Sequence, residues 1–285
     1  MISNSELVLN DDGSIYHLHL HPEQIAPVII TVGDPDRVEM VSKYFDAIEF
    51  RIQKREFITH TGRIGNKRLT VISTGIGTDN IDIVLNELDA LVNIDLKTRI
   101  IKPNLTPLTI VRLGTSGALH PEIAVDSFVV STHGLGLEGL LHYYQLSNNK
   151  KETAIINALP LLNPDVHPYL TEGSSLLLDK IGNGMISGIT ATCGGFYGPQ
   201  GRQLRLQPAI NDILTRLQAF NHQGYRVTNF EMETAAIYGL SRLLGHQALS
   251  VNVILANRAT GRFSSNPSKA VSSLITAMLP KIAAL

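Results

Sequence analysis

Apolar residues along this chain fall into two registers. Short unbroken runs at 27–32, 69–73, 109–111, 127–131 and 248–256 have the length and β-branched content of strands covered on both faces. Further strands are predicted at 54–59, 184–192 and 225–228. Elsewhere the apolar positions repeat at helical spacing: Ile81, Val84, Leu85, Leu88, Leu91 and Val92, then Ile210, Ile213, Leu214, Leu217 and Phe220. Asp34 as N-cap and Pro35 as the first helical residue open a helix that runs to about Phe45. Residues 169–181 and 267–285 read as two more. Strands alternating with helices predict a single three-layer α/β/α domain over 1–285, without linker or repeat.

Three stretches fit less simply. Residues 1–14 are polar and read as a frayed end. Residues 145–172 are polar and then broken by Pro160, Pro164 and Pro168, which predicts an excursion from the core, a candidate lid. His17, His19 and His21 alternate with apolar residues, so a strand there puts all three on one face. A zinc site needs further ligands with their own spacing, so a half-exposed edge strand is the preferred reading.

Glycine collects where the strands end, and ligands in α/β proteins sit outside the carboxyl edge of the sheet. The stretch 109–118 (TIVRLGTSGA) places Arg112 before a Gly-Thr-Ser-Gly turn. Thr115 and Ser116 offer hydroxyls, Gly114 and Gly117 allow close backbone approach, and Arg112 adds fixed positive charge. That is a kit for an oxyanion. Gly33 ends another strand, and Arg37 follows in the first helical turn, where a cation opposes the helix dipole. A residue placed against local preference points to function. A third strand end, 193–202, carries Phe196, Tyr197, Gln200 and Arg202 on a Gly/Pro loop, a set suited to a planar heterocycle. Glu231 and Glu233 flank Met232 at a helix start, where acids either cap the helix or bond the vicinal hydroxyls of a sugar. The run 134–139 matches GxGxxG after a strand, but the polar stretch that follows lacks the second strand and acid of a dinucleotide fold.

Composition narrows the field. The chain has 285 residues, 44% of them apolar, enough for a large core. Its 24 basic and 25 acidic residues nearly cancel, which argues against nucleic-acid or membrane-surface partners. The single cysteine, Cys193, fits a reducing compartment. With no basic-then-apolar leader at the N-terminus, a cytoplasmic location is expected.

Taken together, GDPDR (33–37), REF (55–57), STGIG (73–77), RLGTSG (112–117), FYxxQGR (196–202) and EME (231–233) resemble the motifs of the nucleoside phosphorylase-I family, in particular its uridine-cleaving members. The resemblance covers nearly the whole chain and is weakest over 145–172. It implies a central mixed β-sheet and a pentosyltransferase of nucleoside salvage that converts uridine and phosphate to uracil and ribose 1-phosphate. By the same resemblance, Gly33, Arg37, Arg112 and Thr115 hold phosphate, with Arg55 lent by a neighbouring subunit. His17, also across a subunit contact, reaches the sugar 5′-hydroxyl, and Met232 and Glu233 contact ribose. Phe196, Gln200 and Arg202 bind the base, lined further by Ser116, Gly117, Glu231, Leu255 and Ala256. Arg112, Glu233, Gln200 and Arg202 carry the chemistry. No organic cofactor or catalytic metal is implied; phosphate is a co-substrate, and Glu56 and Ser73 are a candidate site for a monovalent cation such as K+. The expected assembly is a homo-oligomer with shared sites, a dimer or a hexamer of dimers. The alternatives are a purine nucleoside phosphorylase, a nucleoside hydrolase or nucleosidase, and a non-catalytic nucleoside-binding protein. Purine-handling relatives carry an aspartate after the last core strand, where this chain has Asn257 and Arg258.

Overall fold

The run VIITV forms strand β1 (Val28–Val32), buried along its whole length. Its residues alternate between two cores, as the pleat requires. Ile29 joins a cluster with Ile81, Val84, Leu85 and Ile237, while Val28, Ile30 and Val32 join Val38, Leu274 and Met278 on the other face. Each face is covered by helices. This computed structural model, which describes residues 1–160 and 162–285, is therefore a layered α/β fold with a mixed sheet.

In chain order the main elements are α1 (Asp36–Ser42), β2 (Ala47–Lys54), β3 (Phe57–Ile64), β4 (Lys67–Ser73) and α2 (Thr78–Asn93). The central strand β5 (Thr109–Ala118) and β6 (Phe128–Gly136) follow, then α3 (Lys150–Ala158), β7 (Tyr169–Glu172) and β8 (Ile186–Thr192). The chain ends with α4 (Ile213–Ala219), β9 (Tyr225–Glu231), α5 (Thr234–Leu244), β10 (Gln247–Asn257) and α6 (Pro267–Ala283). Strands β2, β3 and β4 form an antiparallel meander, and β4, β1, β5 and β10 then run parallel. Beyond β10 come antiparallel β6, then β8 and β9. Two pairings, Asn229 with Ala118 and Phe230 with Gly117, bring β9 back onto β5. That closes five strands into a ring and draws the ends of β5, β9 and β10 together.

Several expectations are corrected. The strand placed at 54–59 is a hairpin: Lys54 pairs with Phe57, so Arg55 and Glu56 form the turn, and Arg55 takes φ 54°. The histidine stretch is not a strand. It turns at 16–18, and His19 adopts φ 56°, so the three side chains share no face. Residues 1–14 pack rather than fray: the Ile2 amide bonds the Arg99 carbonyl, the Arg99 guanidinium bonds the Leu7 carbonyl, and Leu7 is buried. The helix read at 169–181 opens instead as β7, which pairs with β6 from Gly136–Tyr169 to His133–Glu172. Helical geometry begins only at Ser175, whose preceding Ser174 caps the Leu177 amide.

The excursion at 145–172, of which Leu161 lies outside the described residues, is tied to the core at both its ends. Asn149 and Glu152 make a reciprocal capping box at the start of α3. The Glu152 carboxylate, fully buried, also accepts the Glu172 amide and the Arg242 guanidinium from α5. An ion pair thus pins this segment to the core. Among the described residues no helix is long and apolar enough to cross a membrane. Arg242→Ala strands a buried carboxylate, and the expected cost is about 3–5 kcal/mol. Urea unfolding checks it, and a loss below about 1 kcal/mol contradicts the anchoring role.

Candidate active site

The carboxyl ends of β1, β5, β9 and β10 enclose one cavity of about 1040 Å³. It is lined by Gly33, Arg37, Glu56, Arg112, Thr115, Ser116 and Gly117, and by Phe196, Gln200, Arg202, Glu231, Met232, Glu233, Leu255 and Ala256. Residues chosen from separate strand ends therefore share one space.

At one end sit two guanidinium groups. Arg112 is 5% exposed. Its side chain folds back over the backbone, and a Cβ at Gly114 would lie 1.6 Å from its Nη1 and 2.3 Å from Asn252 Oδ1. Only glycine leaves that room. Arg112 donates to Glu233 Oε2, with Glu231 Oε2 at 3.4 Å. Burial works against its charge, but the carboxylates of Glu233 and Glu231 outweigh burial and hold its pKa above the ordinary value. Arg37 Nη1 reaches the Leu113 carbonyl at 3.3 Å. Burial, and then the charge of Arg112, pull Arg37 down to about 10 despite Asp34 and Glu233. It stays protonated at neutral pH. Two neighbouring cations, Arg112 buried and Arg37 partly buried, with Gly33 and Thr115 beside them, leave a place for an anion.

Glu231 and Glu233 divide their work. The Glu231 carboxylate accepts from the amides of Glu233 and Thr234 and from Thr192 Oγ1, so it caps α5. Burial first, and the charge of Glu233 after it, raise its pKa against the pull of Arg112. Glu233 occupies the N-cap position without capping. Its Oε1 instead accepts the Gly77 amide at 2.8 Å, where the STGIG turn enters α2 at φ 96°.

Another part of the lining comes from the 193–202 loop. Gln200 is buried, its amide oxygen accepts from Arg202 Nη1 at 2.5 Å, and the Arg202 guanidinium stacks 3.7 Å from the Phe196 ring centre. Ser116 Oγ accepts from Asn229 Nδ2 at 3.0 Å, which leaves its proton available to the cavity. Arg258 Nη1 donates to the Gln200 carbonyl at 3.0 Å. Burial and the charge of Arg258 lower Arg202 to about 10. Arg258 received no role from sequence, although it follows a strand end as Arg37 does; that position was the available signal. Asn80, Ile76 and Phe263 at the cavity wall gave no comparable sign.

Three candidates lie elsewhere. His17 is bound to Glu87, with Nδ1 2.6 Å from Oε1, and Arg55 is exposed on the β2–β3 turn; neither lines this cavity. Ser73 is buried, and its Oγ donates to the Glu56 carbonyl and accepts the Ile58 amide, so its hydroxyl is already engaged. Among the described residues no group of three or more His, Cys, Asp or Glu side chains is arranged to hold a metal ion.

Gly114→Ala forces Arg112 and Asn252 apart. The expected loss of stability is about 1–3 kcal/mol, with weaker binding of inorganic phosphate. Thermal unfolding and phosphate titration check both; an unchanged protein refutes the packing described.

Residues 27–279 match the model of the phosphorylase superfamily. A uridine phosphorylase of Thermococcus kodakarensis is 29% identical over 91% of this chain and 83% of its own. One from Haemophilus influenzae is 27% identical over 92% and 96%. Among solved structures, a Trypanosoma brucei nucleoside phosphorylase described as showing uridine phosphorylase activity superposes with a TM-score of 0.90. It is 28% identical, and the match covers 98% of this chain and 100% of that one. With a match across nearly its whole length, the chain belongs to the phosphorylase superfamily.

Proposed function

We propose that this protein catalyses the phosphorolysis of uridine to uracil and ribose 1-phosphate, as a cytoplasmic enzyme of nucleoside salvage. The observation that carries the reading is the convergence of Arg37 and Arg112 beside Glu233, with Gln200 and Arg202 lining the same cavity. Relatives and a structural neighbour bearing uridine phosphorylase names support it.

In this mechanism Gly33, Arg37, Arg112 and Thr115 hold a phosphate dianion. Met232 and Glu233 hold the ribose, with Glu233 accepting from its 2′- and 3′-hydroxyls. Phe196 stacks on uracil, and Ser116, Gly117, Leu255 and Ala256 complete its slot, with Glu231 behind. A phosphate oxygen bonds the anomeric carbon as the bond from that carbon to N1 breaks, and the electron pair leaves with the base. Uracil then takes a proton from solvent. Orientation of phosphate against sugar contributes about 7–11 kcal/mol to lowering the barrier. Fixed cations and the Gln200 amide stabilise negative charge on the departing base. His17 and Arg55, absent from their own cavity, complete the site of a second copy, so the working unit is a homo-oligomer.

A purine substrate is disfavoured because the purine-handling relatives that the chain resembles carry an aspartate after the last core strand, where Asn257 and Arg258 stand here. A hydrolase has no use for the paired arginines.

Uracil release from uridine should require phosphate, with inosine turned over far more slowly. Release in phosphate-free buffer would establish a hydrolase, and faster inosine cleavage a purine enzyme. Arg112→Ala is expected to lower kcat/KM about 10²–10³-fold. For Gln200→Ala the expectation is a roughly tenfold drop in uridine turnover with phosphate KM little changed. Equal damage to both parameters refutes the base-binding role.

A further inference from the structure

We propose that Glu87 is a positioning residue for His17. It fixes the imidazole as the Nδ1–H tautomer, so that Nε2 faces outward as an acceptor for the nucleoside 5′-hydroxyl. This rests on the reading above, in which His17 completes the site of a second copy of the chain.

Glu87 lies on α2, and one carboxylate gathers the whole turn that carries His17. It accepts the His17 amide at 3.0 and 3.1 Å, the Leu18 amide at 2.8 Å, and sits 2.6 Å from the imidazole Nδ1. An ionised carboxylate only accepts hydrogen bonds, so the proton in the last of these belongs to Nδ1. A neutral imidazole protonated there has its lone pair on Nε2.

The turn that carries the ring is held in place by its own packing. Ile15 and Leu18 bury the turn on either side, and the His19 amide closes it onto the Ile15 carbonyl at 3.0 Å. The left-handed backbone at His19, φ 56°, reverses the chain just past the ring. Tyr16 meets the imidazole edge-on, with centroids 4.8 Å apart. A 180° ring flip would put the Cδ2–H group in place of Nδ1 against Glu87 and leave the carboxylate with only the two amides. The His17 side chain remains partly exposed, and the complementary partner for a lone pair on Nε2 is a hydroxyl proton.

A clamp on the turn alone would use the two amides and need no contact with the ring. The test therefore reads the ring and the 5′-hydroxyl. With Glu87→Gln, kcat/KM for uridine should fall roughly tenfold while that for 5′-deoxyuridine changes less than about twofold. His17→Ala should show the same selectivity, and the double variant should be no worse than His17→Ala alone. Nitrogen-15 NMR of the His17 side chain at pH 8, assigned by its loss in His17→Ala, should show protonated Nδ1 in the wild type and a population of protonated Nε2 in Glu87→Gln. Equal losses on both substrates, additive effects in the double variant, or the same tautomer in both proteins would overturn the proposal. A wild type that releases no uracil would instead refute the proposed reaction, and the tautomer measurement would still decide what Glu87 does.

Discussion

A guanidinium taken out of water between two carboxylates is the interaction on which this architecture depends. Desolvating Arg112 is costly, and contact with Glu233 and Glu231 offsets that cost only while all the groups hold their places. The chain of contacts runs further, from Arg112 through Glu233 to the Gly77 amide. It links β5, the start of α5 and the start of α2 through side chains rather than through a shared sheet edge. The two arginines consequently differ in character. Arg112, wedged between acids, is the more firmly held cation, whereas Arg37, with burial and a like charge against it, sits at about 10. Both are charged at neutral pH, and the second is the less well compensated of the two.

Closure of the strand ring makes that contact available. Two residue pairs between β9 and β5 suffice to set Glu231 and Glu233 over Arg112. The first turn of α5 then needs an acceptor for its free amides. Glu233 occupies the position from which a side chain ordinarily caps, yet Glu231 does the capping, with Thr192 steadying it. Glu233 is thereby released from its own helix and turned toward the cavity. Two acids two positions apart take different tasks because one ends a strand and the other begins a helix.

The strand ends were legible because glycine and charge in those positions have few structural explanations. Gly33, Arg37, Arg112, Gln200 and Arg202 were found from local sequence alone, and the cavity unites them. What was illegible depended on partners distant in the chain. The alternation of His17, His19 and His21 imitates a strand, but Glu87, seventy positions on, turns it into a loop. The polar 145–172 stretch hides a core contact because Glu152 looks solvated until Arg242 and the Glu172 amide are brought to it. The hairpin at Arg55 lacks the glycine that announces a tight turn, and only pairing of Lys54 with Phe57 reveals it. Arg258 was illegible for a different reason: it directly follows β10, and only the bond from its Nη1 to the Gln200 carbonyl ties it to the 193–202 loop.

Arg258 also completes the charge pattern. Two pairs of positive groups line the cavity, Arg37 with Arg112 and Arg202 with Arg258, and the Glu233 carboxylate lies against Arg112. In the proposed reaction negative charge leaves the phosphate, positive charge rises briefly on the sugar, and negative charge arrives on the base. Beyond the hydrogen bonds these groups make to it, neutral uridine gains little from the net charge of the cations and of the Glu233 carboxylate. The dissociating state uses both. The resting arrangement is thus complementary to charges that exist only while the bond is breaking, and the fixed dipoles and ions need not reorganise when that moment comes.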